Sequence, residues 1–265
     1  MSKLKISNFH THTFLCHHAT GRPIDYVKVA KEQGCSELGF SDHCPYPDLK
    51  EINWINCRMS VDQVEQYKND VQEAAENADF KVHFGFECEY DRNYLSWYRD
   101  ELKGRYGAEY LVFGPHWVVD GNIHPYAPQF NHDKRLLVKY TDQVVEGIGS
   151  GLYSILAHPD LFMSGWREWD DEAKACLTAI LNAAKDMDLP LEVNGLGIYR
   201  GFVETSKGPR LGYPYHEFWE MVASSGARVI CDSDAHNPND VIAHALNSRN
   251  FAKKYGIVPI ETIFS

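Results

Sequence analysis

The 265-residue sequence predicts an α/β fold, a barrel of seven β/α units. Three observations carry this reading. Short apolar runs alternate with longer amphipathic ones, which favours parallel strands joined by helices. Seven such units fit the chain, leaving a barrel or a doubly wound sheet. Ligand-type side chains then stand at the C-terminal end of nearly every candidate strand. A barrel builds its site at that face from many strands, whereas an open sheet focuses one at a single switch point.

The first strand, 4–9 (LKISNF), delivers His10 and His12. A helix over 23–33 opens on Pro23, a favoured first helical position, and stops at Gly34. The second strand, 36–41, leads to Asp42 and His43. Ser60 is placed as the N-cap of a helix over 60–78, with Val61, Val64, Tyr67, Val71 and Ala74 on one apolar stripe. Strand three, 81–88 (KVHFGFEC), carries Glu87 near its end. Glu89 shares its parity and is its rival, and the GFE context favours Glu87. Further strands at 109–115, 153–157, 190–194 and 227–232 lead to His116, to His158 with Asp160, to Asn194, and to Asp232, Asp234 and His236. The remaining helices are expected at 93–103, 133–148, 170–187, 215–225 and 238–254.

Bulk properties narrow the function. Hydrophobic residues make up 44% of the chain, enough for a packed core. The 26 Lys+Arg against 37 Asp+Glu leave a net charge of −11, which argues against a nucleic-acid partner, because gripping a duplex needs a basic face. No apolar run approaches the roughly 18 residues of a membrane span, and Met1 to Ser7 lack the apolar region of a secretory signal. A cytoplasmic protein without a membrane partner is expected. Seven cysteines with no C-x-x-C pair suit reduced thiols. No repeat or long linker interrupts the chain, so one domain over 1–265 is the expected organisation.

The 13 histidines are the most unusual count. His10 and His12 are spaced i, i+2, so an extended backbone points both to one face and lets two imidazoles share an ion. Asp234 and His236 repeat that spacing, and in a closed barrel the first and last strands are neighbours. Nine candidate ligands result: His10, His12, His18 (with His17 as its rival), His43, Glu87, His116, His158, Asp234 and His236. That number suits two or three ions. Imidazole with carboxylate and no thiolate suits Zn, Mn or Fe, and clustered divalent ions activate water and clamp phosphoryl oxygens. His83, His124, His132, His216 and His244 are read as ordinary.

The segments NFHTHTFLCHHATG (8–21), LGFSDHCPYP (38–47), KVHFGFECEY (81–90), FGPHW (113–117), LAHPDL (156–161), LEVNGLG (191–197) and CDSDAH (231–236) together resemble the PHP (polymerase and histidinol phosphatase) family. Within it they resemble its monofunctional histidinol-phosphate phosphatases. The resemblance implies a distorted (β/α)7, TIM-barrel-like fold with three divalent metal ions at the C-terminal end of the strands. It also implies hydrolysis of the small-molecule substrate L-histidinol phosphate in histidine biosynthesis; a PHP phosphoesterase acting on nucleotides or nucleic-acid ends is the alternative. Carried over, it implies that His10, His12, Glu87 and Asp234 hold one ion. Glu87 would bridge to a second with His116 and His158, and His18, His43 and His236 would hold a third. The expected chemistry is in-line attack on phosphorus by water that the ions activate. Asp42 is the candidate proton donor or orienting group. Arg200 is the candidate phosphate clamp, its planar fork suiting phosphate, with Arg167 in reserve. Asp160 is placed for the substrate ammonium, and His17, if not a ligand, is a candidate substrate contact.

Overall fold

The computed structural model describes residues 6–47, 55–120 and 124–264. Seven parallel strands form one sheet in the order β1 (Ile6–Asn8), β2 (Cys35–His43), β3 (Lys81–Cys88), β4 (Tyr110–Phe113), β5 (Ile155–Leu156), β6 (Leu191–Asn194) and β9 (Val229–Asp232). A separate antiparallel hairpin pairs β7 (Phe202–Val203) with β8 (Arg210–Leu211). The sheet curls until its first and last strands meet, and side chains close the seam. Asp232 Oδ1 accepts the Phe9 amide at 2.7 Å, and Asn8 Oδ1 accepts that of Ser233 at 2.8 Å. One step further, Thr11 and Ala235 form a parallel bridge, with His12 N donating to Ala235 O at 2.9 Å. The expected barrel of seven parallel strands is therefore present and nearly closed.

Helices α1 (Pro23–Gln33), α2 (Val64–Glu76), α3 (Lys134–Gly149), α4 (Asp171–Asp186), α5 (Gly195–Arg200), α6 (His216–Ser225) and α7 (Asp240–Lys254) flank the strands. Their ends follow local chemistry. Gly34 ends α1 at φ 82°, Asp133 accepts from the first amides of α3, and Asp170 does the same for α4. Ser60 donates through N and Oγ to Gln63 Oε1, both at 2.9 Å, and a 3-10 turn over Val61–Gln63 delays α2 to Val64. The helix expected at 93–103 is a π-wound segment, Trp97–Arg105. Among the described residues no helix is long and apolar enough to cross a membrane.

The two ends of the barrel differ. Phe9, Tyr110, Val112, Ile155, Ala157 and Ile230 form a buried apolar cluster, against which Ile260, Ile263 and Phe264 of the C-terminal segment pack. His83, read as ordinary, lies beside this cluster: it bridges Glu37 and Glu109 at 2.8 Å each and stacks on Phe264 at 4.0 Å. The opposite end, where the parallel strands finish, carries the histidines.

Candidate metal centre

The extended His10-Thr11-His12 segment places its two imidazole centroids 5.1 Å apart. His12 Nε2 lies 3.2 Å from Asp234 Oδ1, and His10 Nε2 lies 3.6 Å from it. Glu87, from the end of β3, stands at the middle of the cluster. Its Oε1 is 3.4 Å from His10 Nε2, 3.5 Å from His116 Nε2 and 3.1 Å from His158 Nε2. Its Oε2 is 3.5 Å from His12 Nε2 and 3.0 Å from His43 Nδ1. His236 stacks on His12 with centroids 4.2 Å apart, and its Nε2 lies 3.0 Å from His18 Nε2. Five triads with mutually adjacent donor atoms emerge among the described residues: His10/His12/Asp234, Glu87/His116/His158, His12/His43/His236, and two that include the Cys16 thiol, Cys16/His18/His236 and His12/Cys16/Asp42. His158 and Asp234 adopt positive φ, 29° and 52°. Such backbone strain in non-glycine residues clusters at functional sites.

Behind the imidazoles stands a second set of groups that fixes their tautomers. Glu192 Oε1 meets His10 Nδ1 at 2.7 Å, and Glu89 Oε1 meets His116 Nδ1 at 2.7 Å. Asp42 Oδ1 lies 3.4 Å from His12 Nδ1. The backbone carbonyls of Cys16 and Asp234 accept from His18 Nδ1 and His236 Nδ1, at 2.7 and 3.0 Å. A carbonyl or carboxylate oxygen only accepts, so each of these hydrogen-bonded Nδ1 atoms carries the proton and the corresponding Nε2 presents a lone pair. Those lone pairs then face carboxylate oxygens or, between His18 and His236, each other. His10 Nε2, His12 Nε2 and Glu87 Oε2 are buried with no hydrogen-bond partner. Like poles at 3.2–3.6 Å in the buried part of the site, and at 3.0 Å between His236 and the exposed His18, call for positive charge between them, as protons or metal ions. The donor set, imidazole nitrogen and carboxylate oxygen held from behind by further acceptors, fits divalent ions.

The electrostatics divide the imidazoles into two groups. Against the burial that would raise it, the imidazoles of His116, His10 and His43 hold Glu87 well below the usual carboxylate range. Asp234 is likewise held down against its burial, by His10, His12 and His236. Burial and the neighbouring His12 push His236 down to about 3 and His43 well below its ordinary value. The carboxylates stay anionic and these two imidazoles neutral, whereas, against burial, the carboxylates around them hold His10 and His116 above their ordinary values and His12 up at about 9, protons that a bound ion would displace.

A cavity of about 190 Å³ opens onto the cluster. Arg200, at the end of α5, lines it and donates through Nη1 to Tyr213 Oη at 3.0 Å. Arg58 lines it too, itself nearly fully buried, with Nη1 on Cys44 O at 2.5 Å and its guanidinium 5.0 Å from the Tyr46 ring centroid.

The sequence model of the PHP domain matches residues 8–195. The chain belongs to the PHP domain family. This PHP chain is 27% identical over 238 residues to the "Probable histidinol-phosphatase" of Deinococcus radiodurans, covering 88% of this chain and 86% of that protein. It is 21% identical over 272 residues to a protein of the same name from Schizosaccharomyces pombe, covering 96% and 87%. Among solved structures, HisK of Listeria monocytogenes superposes with a TM-score of 0.73 at 19% identity, over 88% of this chain and 96% of that one. Histidinol phosphate phosphatase of Lactococcus lactis, solved with zinc, L-histidinol and phosphate, gives 0.69 at 16% identity, over 97% and 95%.

Within this PHP chain, all nine expected ligand residues converge, and four other expectations need correction or narrowing. Asp160 does not line the cavity. It is 1% exposed, and its Oδ2 accepts the Tyr215 amide at 2.5 Å and Trp219 Nε1 at 3.0 Å, which makes it a structural acceptor rather than a partner for a substrate ammonium. Arg167 is exposed and lines a different cavity, beside Trp169 and the β7–β8 hairpin, so it is no reserve clamp. His17 is absent from the cavity lining; it closes the Phe14–Cys16 turn at φ 65°, while His18 reaches His236. Asp42 is fully buried, accepting from Thr13 N, Thr13 Oγ1 and His43 N at 3.1, 2.5 and 2.9 Å. It does not line the cavity and stands 3.4 Å behind His12 Nδ1, a place that fits the orienting role of the two expected for it. Sequence reasoning missed Arg58 and Glu192. Arg58 follows a segment without periodicity, part of which (52–54) lies outside the described residues. Glu192 is a charge inside an apolar strand, PLEV, which is itself a signal that something polar faces it.

Proposed function

We propose that this protein is a metal-dependent phosphomonoesterase that hydrolyses L-histidinol phosphate to L-histidinol and phosphate. One observation carries the reading: imidazole lone pairs and carboxylate oxygens face one another across a buried cluster, beside a cavity that also holds two arginines. The names of the relatives and the ligands of the Lactococcus lactis enzyme support the choice of substrate. His10, His12, Glu87 and Asp234 would hold one ion. Glu87, His116 and His158 would hold a second, and His18, His43 and His236 a third, with zinc, manganese and iron all suited to these donors. When bound, such ions lower the pKa of water and stabilise charge on phosphoryl oxygens.

The chain's own groups do the rest. Arg200, steadied by Tyr213, is placed to take the phosphate with a planar fork, and Arg58 brings a second positive charge to the cavity. Glu192 and Glu89 hold His10 and His116 in the tautomer that presents Nε2, and Asp42 faces His12 Nδ1 at 3.4 Å. Trp117 and Tyr126, with centroids 4.8 Å apart, form an aromatic wall suited to an imidazole ring and an ammonium group. Phosphate release should be compared across L-histidinol phosphate, mononucleotides and dinucleotides, with elemental analysis of the same sample. Preferred turnover of L-histidinol phosphate is expected. Preference for nucleotides, or no turnover by metal-replete protein, would overturn the reading.

A further inference from the structure

We propose that Glu192 is a positioning residue that couples two of the ion positions through a single carboxylate. This rests on the reading of the cluster as an ion-binding centre and adds an energetic link inside it. Glu192, on β6, is fully buried. Its Oε1 holds His10 Nδ1 at 2.7 Å, and its Oε2 accepts the backbone amide of His158 at 2.8 Å and Asn194 Nδ2 at 2.9 Å. His10 belongs to the triad with His12 and Asp234, whereas His158 belongs to the triad with Glu87 and His116. Asn194 Nδ2 also reaches Asp234 Oδ2 at 3.1 Å, so one short network touches both donor sets. Of the other two supporting carboxylates, Glu89 meets His116 within one triad, through Nδ1 and N at 2.7 and 3.0 Å, whereas Asp42 reaches two, lying 3.4 Å from His12 Nδ1 and accepting the His43 amide at 2.9 Å.

The two contacts do different work. Oε1 keeps the His10 proton on Nδ1, which leaves Nε2 as a donor toward Glu87 and Asp234. Oε2 anchors the amide of a residue whose φ of 29° L side chains rarely adopt, and so holds His158 where its Nε2 meets Glu87. Glu192→Gln cannot serve both. A glutamine has one oxygen, and if it faces His10, its amide hydrogens confront the donors of His158 and Asn194. If it faces them, its amide donates to His10 Nδ1, drives the His10 proton onto Nε2 and removes that donor.

The test measures stepwise zinc affinities of the full-length protein by chelator competition. Wild type is compared with Glu192→Gln and Glu89→Gln, and thermal unfolding confirms that each is folded. Loss of a group that orients a ligand costs about 10- to 100-fold in affinity. Glu89→Gln is expected to weaken one step by that factor, and Glu192→Gln two. A folded Glu192→Gln protein with one weakened step or none overturns the proposal. A readout in the wild type covers the case in which the variant does not fold. The His10 Nδ1–H and His158 amide resonances, both bonded to Glu192, should shift together at each step of a zinc titration, and independent shifts overturn the coupling. A wild-type chain that binds no zinc, manganese or iron would overturn the ion-binding reading, and this inference with it.

Discussion

Asp160 separates two accounts of one carboxylate. If it received the substrate ammonium, its loss would fall on L-histidinol phosphate alone. The structure instead buries it beneath Tyr215 and Trp219, both in the core, where burial pushes its carboxyl up to about 6 despite two donated hydrogen bonds. Asp160→Ala strands two buried donors, the Tyr215 amide and Trp219 Nε1. Each unsatisfied group costs roughly 1–3 kcal/mol, so the pair costs roughly 2–6 kcal/mol. At about 2–4 °C per kcal/mol for a chain of this size class, the melting temperature should fall by at least about 4 °C. Asp160→Asn keeps an oxygen for both donors and should lose less. The assay pairs thermal unfolding with kcat/KM for L-histidinol phosphate and for an aryl phosphate. The ratio of the two should stay unchanged in any variant that remains folded. An unchanged melting temperature with a selective loss on L-histidinol phosphate would refute the structural role.

Arg200→Ala should lower kcat/KM by about 10- to 100-fold, the value of a hydrogen bond to a charged group, while Arg167→Ala should leave it unchanged; steady-state kinetics on both checks the assignment. Gly114→Ala should cost metal and activity together, because a Cβ there would press on Glu87 Oε1 and lie 2.7 Å from His116 Cε1; elemental analysis after dialysis reads the loss. His18→Ala should retain one ion fewer than wild type, and His17→Ala the full complement, by the same measurement.

Much of this centre was legible because its chemistry sits at strand ends, where period-2 runs stop and histidines begin. Seven strands, their order and the nine converging side chains follow from that pattern. Its limits have physical causes. The two-residue strands β5, β7 and β8 are too short to show alternation, so 153–157 shrinks to Ile155–Leu156 and the hairpin was not anticipated. Spacing from His158 put Asp160 near the barrel mouth, but a 3-10 turn begins directly after it and leaves its carboxylate under α6. Parity could not separate Glu87 from Glu89. In the fold both serve the centre: Glu87 faces the imidazole donors and Glu89 holds His116 from behind. Arg58 and Glu192 work through tertiary contacts to residues far along the chain or to backbone carbonyls, and no local pattern announces such contacts.

The most direct test strips the protein with a chelator and follows phosphate release from L-histidinol phosphate as zinc, manganese or iron is restored. The account predicts negligible release from the stripped protein, a lower melting temperature as the cluster's lone pairs and carboxylates lose their counter-ions, and recovery of both on adding metal. Undiminished phosphate release by protein shown to be free of metal would contradict it.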